Sequence, residues 1–385
     1  MAAWDVAVIG LGAMGSAAAA ACASRGARVI GFDRFDPPHA LGSSHGETRI
    51  TREAYFEDPC YVPLVRRANV LWRELEREAG ERLLVDTGGI VIGPPDGPLV
   101  RGSLASARTH DLPYERLSAA QIRHQFPALA PTDGLEGVWE PNAGVLFPER
   151  CVAAQLARAR AYGAALHVNT PVAGWESEGA GFTVRAGGTT HHAAQLVLAA
   201  NAWLPGLMGG AVLPLKVTRQ PLFWFTPERD LADLAPGRLP VHIWQPDDGA
   251  AFYGFPAFGG TIKLAIHHGG VPSDPDHVDR NVTEAEVESI RQRVGPFLPA
   301  FAGTLARASV CLYANTPDEH FVVDRHPDHP GALVLSACSG HGFKFSIAIG
   351  EATADLVLDE RPRPDLAPFR WRWSSANSST EATPT

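Results

Sequence analysis

The sequence is short of charge and of sulfur. Only 19% of its 385 residues are Asp, Glu, Lys or Arg, against 45% hydrophobic. Disorder and long solvated charge runs are thereby excluded, and a sizeable core is expected. There is no excess of base: 33 Lys and Arg stand against 42 Asp and Glu, a net charge of −9, which repels phosphate backbones and anionic headgroups at long range. Neither nucleic acid nor a membrane surface is an expected partner. Cys22, Cys60, Cys151, Cys311 and Cys338 are widely spread and form no CxxC pair, which argues against a disulfide framework or structural zinc and fits a reducing cytoplasm. The pairs His191-His192 and His267-His268 lack ligand spacing, so no metal is expected. A P-loop lysine pattern is missing too, removing a common route to phosphoryl transfer.

One uncharged run does reach the length of a membrane span, Val6 to Ala23. Asp5 precedes it where a signal peptide carries a base, and Gly10, Gly12 and Gly15 interrupt it at a spacing with its own explanation. Val6–Ile9 reads as a buried strand, Met14 to Arg25 as a helix closed by Gly26, and Arg28–Phe32 as a second strand ending at Asp33. In such a βαβ unit the first glycine permits a tight turn, the second a close backbone approach to a pyrophosphate, the third helix–strand packing. The helix N-terminus offers N–H donors to phosphate, and Asp33 can accept from a ribose diol. The unit leaves NAD and FAD equally open.

Further along, Val62–Glu78 reads as a helix, Gly88–Ile92 as a strand, Val152–Tyr162 as a helix, and Leu166–Asn169 and Gln195–Ala199 as strands. Residues 217–225 and 251–267 alternate as strands do. The fold class is therefore α/β, a discontinuous nucleotide-binding domain with an inserted, mainly antiparallel sheet. The small polar tail from Ser374 to Thr385 is expected to be disordered.

Four stretches could carry chemistry. Phe35–Tyr55 packs His45, Thr48, Arg49 and Arg52 into eight residues; on a helix Arg49 and Arg52 would share a face, and the segment reads equally as a solvated basic loop or an anion site. In Tyr253–His267, Gly259-Gly260 signals a hairpin, with Ile262, Leu264 and Ile266 on one face and Lys263 and His267 on the other. Taken alone, Lys263 reads as solvent-facing. Ala332–Leu335 reads as a strand, Ser339-Gly340-His341-Gly342 as a tight loop and Phe343–Leu358 as a helix with Lys344 in its first turn, which aims a second electropositive helix end at the sheet's carboxyl edge. Cys311, in an apolar strand, reads by itself as a small buried hydrophobe.

Together these motifs resemble the monomeric sarcosine oxidase and N-methyltryptophan oxidase family, flavoenzymes like D-amino-acid oxidase. The likeness runs from Val6 to about Phe369 and rests on the glycine turn, Asp36–His39 with Gly42–Arg49, EPNAGVLF at Glu140–Phe147, Phe252–Pro256, Cys311–Phe321 and Ser339–Phe345. It implies FAD, bound at Gly10, Gly12, Gly15, Asp33, Arg34, Ser43, Thr48, Gly340, Gly342 and Lys344, and tethered through an 8α-thioether to Cys311. It implies that Arg52 and Lys344 hold an amino acid's carboxylate, that Lys263 activates O2 at the flavin, that His45 and Arg49 lie beside the ring, and that Tyr253 and His267 line the substrate cavity.

The expected reaction is oxidation of a secondary amine, an N-methyl amino acid with sarcosine first, to an imine, O2 becoming H2O2. A bulkier N-methyl or cyclic amino acid is the alternative, an NAD-linked dehydrogenase the more distant one. The expected FAD-binding domain takes residues 1–85, 148–215 and 310–373, the substrate domain 86–147 and 216–309, and the protein is expected to be a monomer. Four departures from the family pattern, Asn201 for Gly, Phe252 for Tyr, Ser44 for His and the segment Val241–Ala251, bear on which substrate is taken.

Overall fold

The computed structural model describes residues 4–228, 231–247, 249–301 and 303–373; the tail expected to be disordered, 374–385, lies outside the described residues. The first half of the chain forms β1 (Trp4–Ile9), α1 (Ala13–Ser24), β2 (Val29–Phe32), β3 (Arg49–Thr51), α2 (Val62–Ala79), β4 (Leu84–Asp86), β5 (Gly89–Gly93), α3 (Pro98–Thr109), β6 (Glu115–Ser118), α4 (Ala119–Gln125), β7 (Glu136–Glu140), β8 (Gly144–Leu146) and α5 (Pro148–Ala161). There follow β9 (Ala165–His167), β10 (Val172–Glu178), β11 (Gly181–Ala186), β12 (Thr189–Leu198), β13 (Lys216–Thr226), β14 (Val241–Trp244), β15 (Phe252–Gly254), β16 (Ile262–Ile266), α6 (Glu284–Val294), β17 (Thr304–Asn315), β18 (Val322–Arg325), β19 (Ala332–Ser336) and α7 (Ser346–Leu358).

These elements fall into two compact units: Met1–Ser44 with Cys151–Val217 and Tyr313–Thr385, and His45–Arg150 with Thr218–Leu312. In the first, β12, β1, β2 and β9 run parallel, β19 joins β12 in parallel, and β10 and β11 add an antiparallel edge. All four strand residues of Val6–Ile9 are buried, as a strand covered on both faces requires. Helix α1 is built of small residues because α7 crosses it closely: a Cβ on Gly350 would lie 2.6 Å from Ala17. The uncharged run of the sequence is thus β1 and α1, and among the described residues no helix is long and apolar enough to cross a membrane.

The second unit holds an eight-stranded sheet in the order β17-β13-β16-β15-β14-β5-β7-β6 and a small sheet β3-β8-β4. Its larger sheet is mainly antiparallel, with β14 and β5 paired in parallel. One face buries Ile92, Phe225, Trp244, Phe252, Ile262 and Leu264 together with Ile122 of α4 and Ile290 and Val294 of α6; each such side chain contributes roughly 1.5–3 kcal/mol. That leaves Lys263 and Ala265 on the opposite face, as their alternation requires.

Two expectations change. Residues 45–85, grouped with the nucleotide-binding domain from sequence, pack in the second unit, because β3 pairs with β8 and Thr51 Oγ1 bonds Asn69 of α2 at 2.8 Å. The helix expected from Phe343 begins at Ser346; Phe343–Phe345, with Lys344, forms a 3-10 turn.

Candidate functional site

In the first unit, chemistry is prepared by backbone. Gly10 takes φ +90°, and a Cβ on Gly15 would stand 1.7 Å from the Gly10 carbonyl oxygen; both glycines are required by the chain itself. Gly12 is different: its Cβ would meet only Ser44 Oγ, at 3.7 Å. No side chain caps α1 from the N-cap position, and its first turn carries no acid. Asp33 accepts from Leu11 N at 2.7 Å and Phe35 N at 2.9 Å, so it locks the glycine turn before any ligand uses its remaining lone pairs. Asn201 stands in a left-handed conformation, φ +49°, and donates to Ser43 Oγ at 2.6 Å. A residue type tolerant of that conformation thus also ties down the Ser43 loop. Arg34 lies 4.9 Å from the Phe35 ring and 5.3 Å from that of Trp203. Gly340 has φ +76°, a Cβ on Gly342 would strike Ala337 O, and Lys344, buried, donates to His341 O at 2.6 Å.

In the second unit the work falls to side chains. Lys263 is 2% exposed and donates to the carbonyls of Gly46 at 2.7 Å and Thr48 at 2.9 Å. Burial holds its amine well below an ordinary lysine, and Arg49 adds to this, while Cys311, Glu149 and Glu47 act the other way. Burial alone would raise the Cys311 thiol; the charges of His45 and Arg49, a hydrogen bond from His45 and the charge of Lys263 bring it down to about 6. Arg49 lies 3.4 Å from the sulfur. Cys311 packs with Leu222, Trp224, Ala265 and Tyr253, and the Tyr253 ring meets His267 edge-on at 6.2 Å. Two buried polar atoms, His45 Nε2 and Thr48 Oγ1, have no hydrogen-bond partner, a cost a folded protein bears where another group is to be met.

The structure therefore gathers His45, Thr48, Arg49, Tyr253, Lys263, His267 and Cys311 in one unit, and places Gly10, Gly12, Gly15, Asp33, Arg34, Ser43, Gly340, Gly342 and Lys344 in the other. Arg49 and Arg52 do not share a helical face. Arg49 opens the strand β3 and turns to Cys311, whereas buried Arg52, just past the strand's end, pairs with Glu57 at 2.7 Å between the rings of Tyr55 and Phe56. Sequence reasoning missed Trp224, which lies opposite Lys263 in the β13–β16 register with its ring 5.4 Å from the amine. It also missed Glu57, Glu149 and Glu140. Glu149 accepts from Gly46 N, and Glu140 was a letter in a motif without a task. Among the described residues no cluster suited to a metal ion occurs.

An α/β unit with a glycine turn for a dinucleotide and a sheet unit carrying a buried cationic cluster together define a flavoprotein oxidoreductase. The chain belongs to the family of FAD-dependent oxidoreductases, whose model matches residues 5–356. It is 44% identical to monomeric sarcosine oxidase of Streptomyces avermitilis, over 92% of this chain and 94% of that one, and 35% identical to N-methyl-L-tryptophan oxidase of Salmonella arizonae, over 95% and 98%. Among solved structures, NikD, an unusual amino acid oxidase essential for nikkomycin biosynthesis, superposes with a TM-score of 0.83 at 24% identity, covering 96% of this chain and 98% of that one; this likeness concerns the fold.

Proposed function

We propose that the protein oxidises the secondary amine of an N-methyl amino acid, sarcosine first, to an imine while O2 is reduced to H2O2; for sarcosine, hydrolysis of the imine yields glycine and formaldehyde. The observation that carries this reading is Lys263: a buried amine held by two carbonyls, beside a Cys311–Arg49–His45 cluster with two polar atoms left unpartnered. Bound FAD would supply the two-electron acceptor that links amine oxidation to O2 reduction. The residues present suit that group. Gly12 has room for a Cβ within the chain, so its lack of one serves a close-lying pyrophosphate. His45 Nε2 and Thr48 Oγ1 offer polar atoms to a ring, and the thiolate character of Cys311 suits it as the thioether anchor.

Arg52 and Lys344 are the proposed partners of the substrate carboxylate. Arg52 already holds a carboxylate, that of Glu57, against two aromatic rings, so an incoming substrate competes with an internal anion of the same chemistry. His45, Arg49, Tyr253 and His267 complete the proposed site, where nearby cations favour release of the ammonium proton that must leave before the C–H bond is oxidised. Lys263, when protonated, stabilises charge that develops on O2. A cytoplasmic monomer is part of the reading.

The visible spectrum after acid precipitation tests the cofactor: a yellow pellet is expected, whereas a colourless protein that binds NAD ends the proposal. Peroxide assays with sarcosine, N-methyltryptophan, pipecolate and proline then rank substrates. The 35% identical N-methyltryptophan oxidase keeps a bulkier amine as the second reading; peroxide from none of the four overturns both.

A further inference from the structure

The stretch after β7 matches the family pattern, yet the reaction gives it no task. Its contacts supply one. Glu140, 5% exposed, accepts with Oε2 from the amides of Glu53 at 2.7 Å and Ala54 at 3.0 Å. Farther along, Glu149 repeats the device with Oε1, from Gly46 N at 2.7 Å and Glu47 N at 3.0 Å. Between these grips β8 pairs with β3 in the register Arg49↔Leu146, Ile50↔Val145, Thr51↔Gly144. Asn142 Nδ2 adds a contact to the Glu53 carboxylate at 3.1 Å, and Asn69 of α2 donates to its other oxygen at 3.1 Å. One short segment thus holds both ends and the middle of residues 46–54.

The two ends carry different groups. The Glu53 and Ala54 amides follow Arg52 directly, so fixing them fixes the backbone torsions that aim its side chain. At the other end, one planar peptide unit joins Gly46 to Glu47: its N–H is bonded to Glu149 and its C=O to Lys263 Nζ. Carboxylate and amine therefore hold opposite edges of a single plane, and the charge on the N–H side strengthens the carbonyl as an acceptor. Burying a carboxylate that meets mainly backbone is costly in itself.

We propose that Glu140 and Glu149 are positioning residues with separate duties, Glu140 aiming Arg52 for the substrate carboxylate and Glu149 setting the carbonyls that hold Lys263 for the oxygen step. The assignment rests on the amine-oxidase reading above, and its test separates the two. In the holoenzyme, Glu140→Gln and Glu149→Gln keep side-chain volume. Three quantities are read: Kd for butyrate, a carboxylate with the heavy-atom length of sarcosine and no amine to oxidise; the rate of the oxidative half-reaction; and hydrogen exchange at the amides of 46, 47, 53 and 54.

Glu140→Gln is expected to weaken butyrate about tenfold, a charge-assisted contact loosened rather than lost, and to leave the oxygen step within roughly twofold, as independent contacts do. Glu149→Gln is expected to do the reverse. Exchange should quicken at 53 and 54 in the first variant and at 46 and 47 in the second. Variants that impair both quantities alike, that impair neither, or that leave exchange unchanged overturn the assignment. A wild-type protein without FAD or peroxide sinks the functional reading instead, and the exchange measurement still judges the clamp.

Discussion

The two units solve the problem of a charged ligand in opposite ways. The first uses backbone: left-handed glycine conformations, a helix start with no cap from its own N-cap residue, and a carboxylate, Asp33, that accepts from the amides of Leu11 in the glycine turn and Phe35. The second uses side chains drawn from distant stretches, with Lys263 and Cys311 both lowered but by different means: burial and Arg49 lower the lysine, while His45, Arg49 and Lys263 overcome burial to lower the thiol. A backbone site needs a missing Cβ, so a single methyl group destroys it. A side-chain site tolerates shape but not loss of charge. Both kinds of failure can be tested.

The sharpest break is within one turn. Gly15→Ala puts a methyl group against the Gly10 carbonyl, where backbone must move, and should cost at least about 1–3 kcal/mol of folding stability along with the cofactor. Gly12→Ala meets only Ser44 Oγ at 3.7 Å, so the chain should melt at the wild-type temperature as apoprotein while incorporating little FAD. Melting curves and FAD content per chain decide this. If Gly12→Ala takes up FAD normally, the backbone cradle is no phosphate site, and the contrast between the units fails.

Next in size is Lys263→Met. Removing a preorganised charge from a transition state costs about 10²–10³ in rate, and here it should fall on the oxidative half-reaction, leaving anaerobic reduction by substrate nearly intact. In the wild type the oxygen step should slow as pH rises through the lysine's lowered value, because burial and Arg49 favour loss of the proton the step needs. That limb should be absent from the variant. Stopped-flow traces showing equal slowing of both half-reactions would remove the lysine from the oxygen step.

How much of this was legible beforehand divides along the same line. The β1–α1–β2 unit was readable because its logic is local: three glycines and an acid whose spacing is set by neighbouring turns. Helix α2 was equally plain, expected over Val62–Glu78 and found over Val62–Ala79, with Val65, Ala68, Trp72 and Leu75 buried at helical spacing. The cationic cluster was not. Arg49 meets Cys311 across 262 positions, and whether Arg49 and Arg52 share a face depended on β3 finding β8, a pairing no local signal announces. Glu140 and Glu149 stood in plain view, but a carboxylate that serves backbone amides looks, in sequence, like any other.

The smallest expected effect concerns that carboxylate and has a definite sign. Burial pushes the Glu140 carboxyl up to about 7; the Ala54 and Glu53 amides and Arg52 pull it down without prevailing, and the charge of Glu53 adds to the rise. Between the ordinary value near 4.5 and about 7 the folded chain keeps a proton that the unfolded chain has released. The stabilisation from this group is therefore complete below the ordinary value and fades as pH rises through the folded one. Gln at this position has no proton to lose. The melting temperature of Glu140→Gln, taken relative to wild type at each pH, should climb by a few degrees across that window. A flat difference would mean that Glu140 stays ionised throughout, with the two amides and Arg52 outweighing its burial.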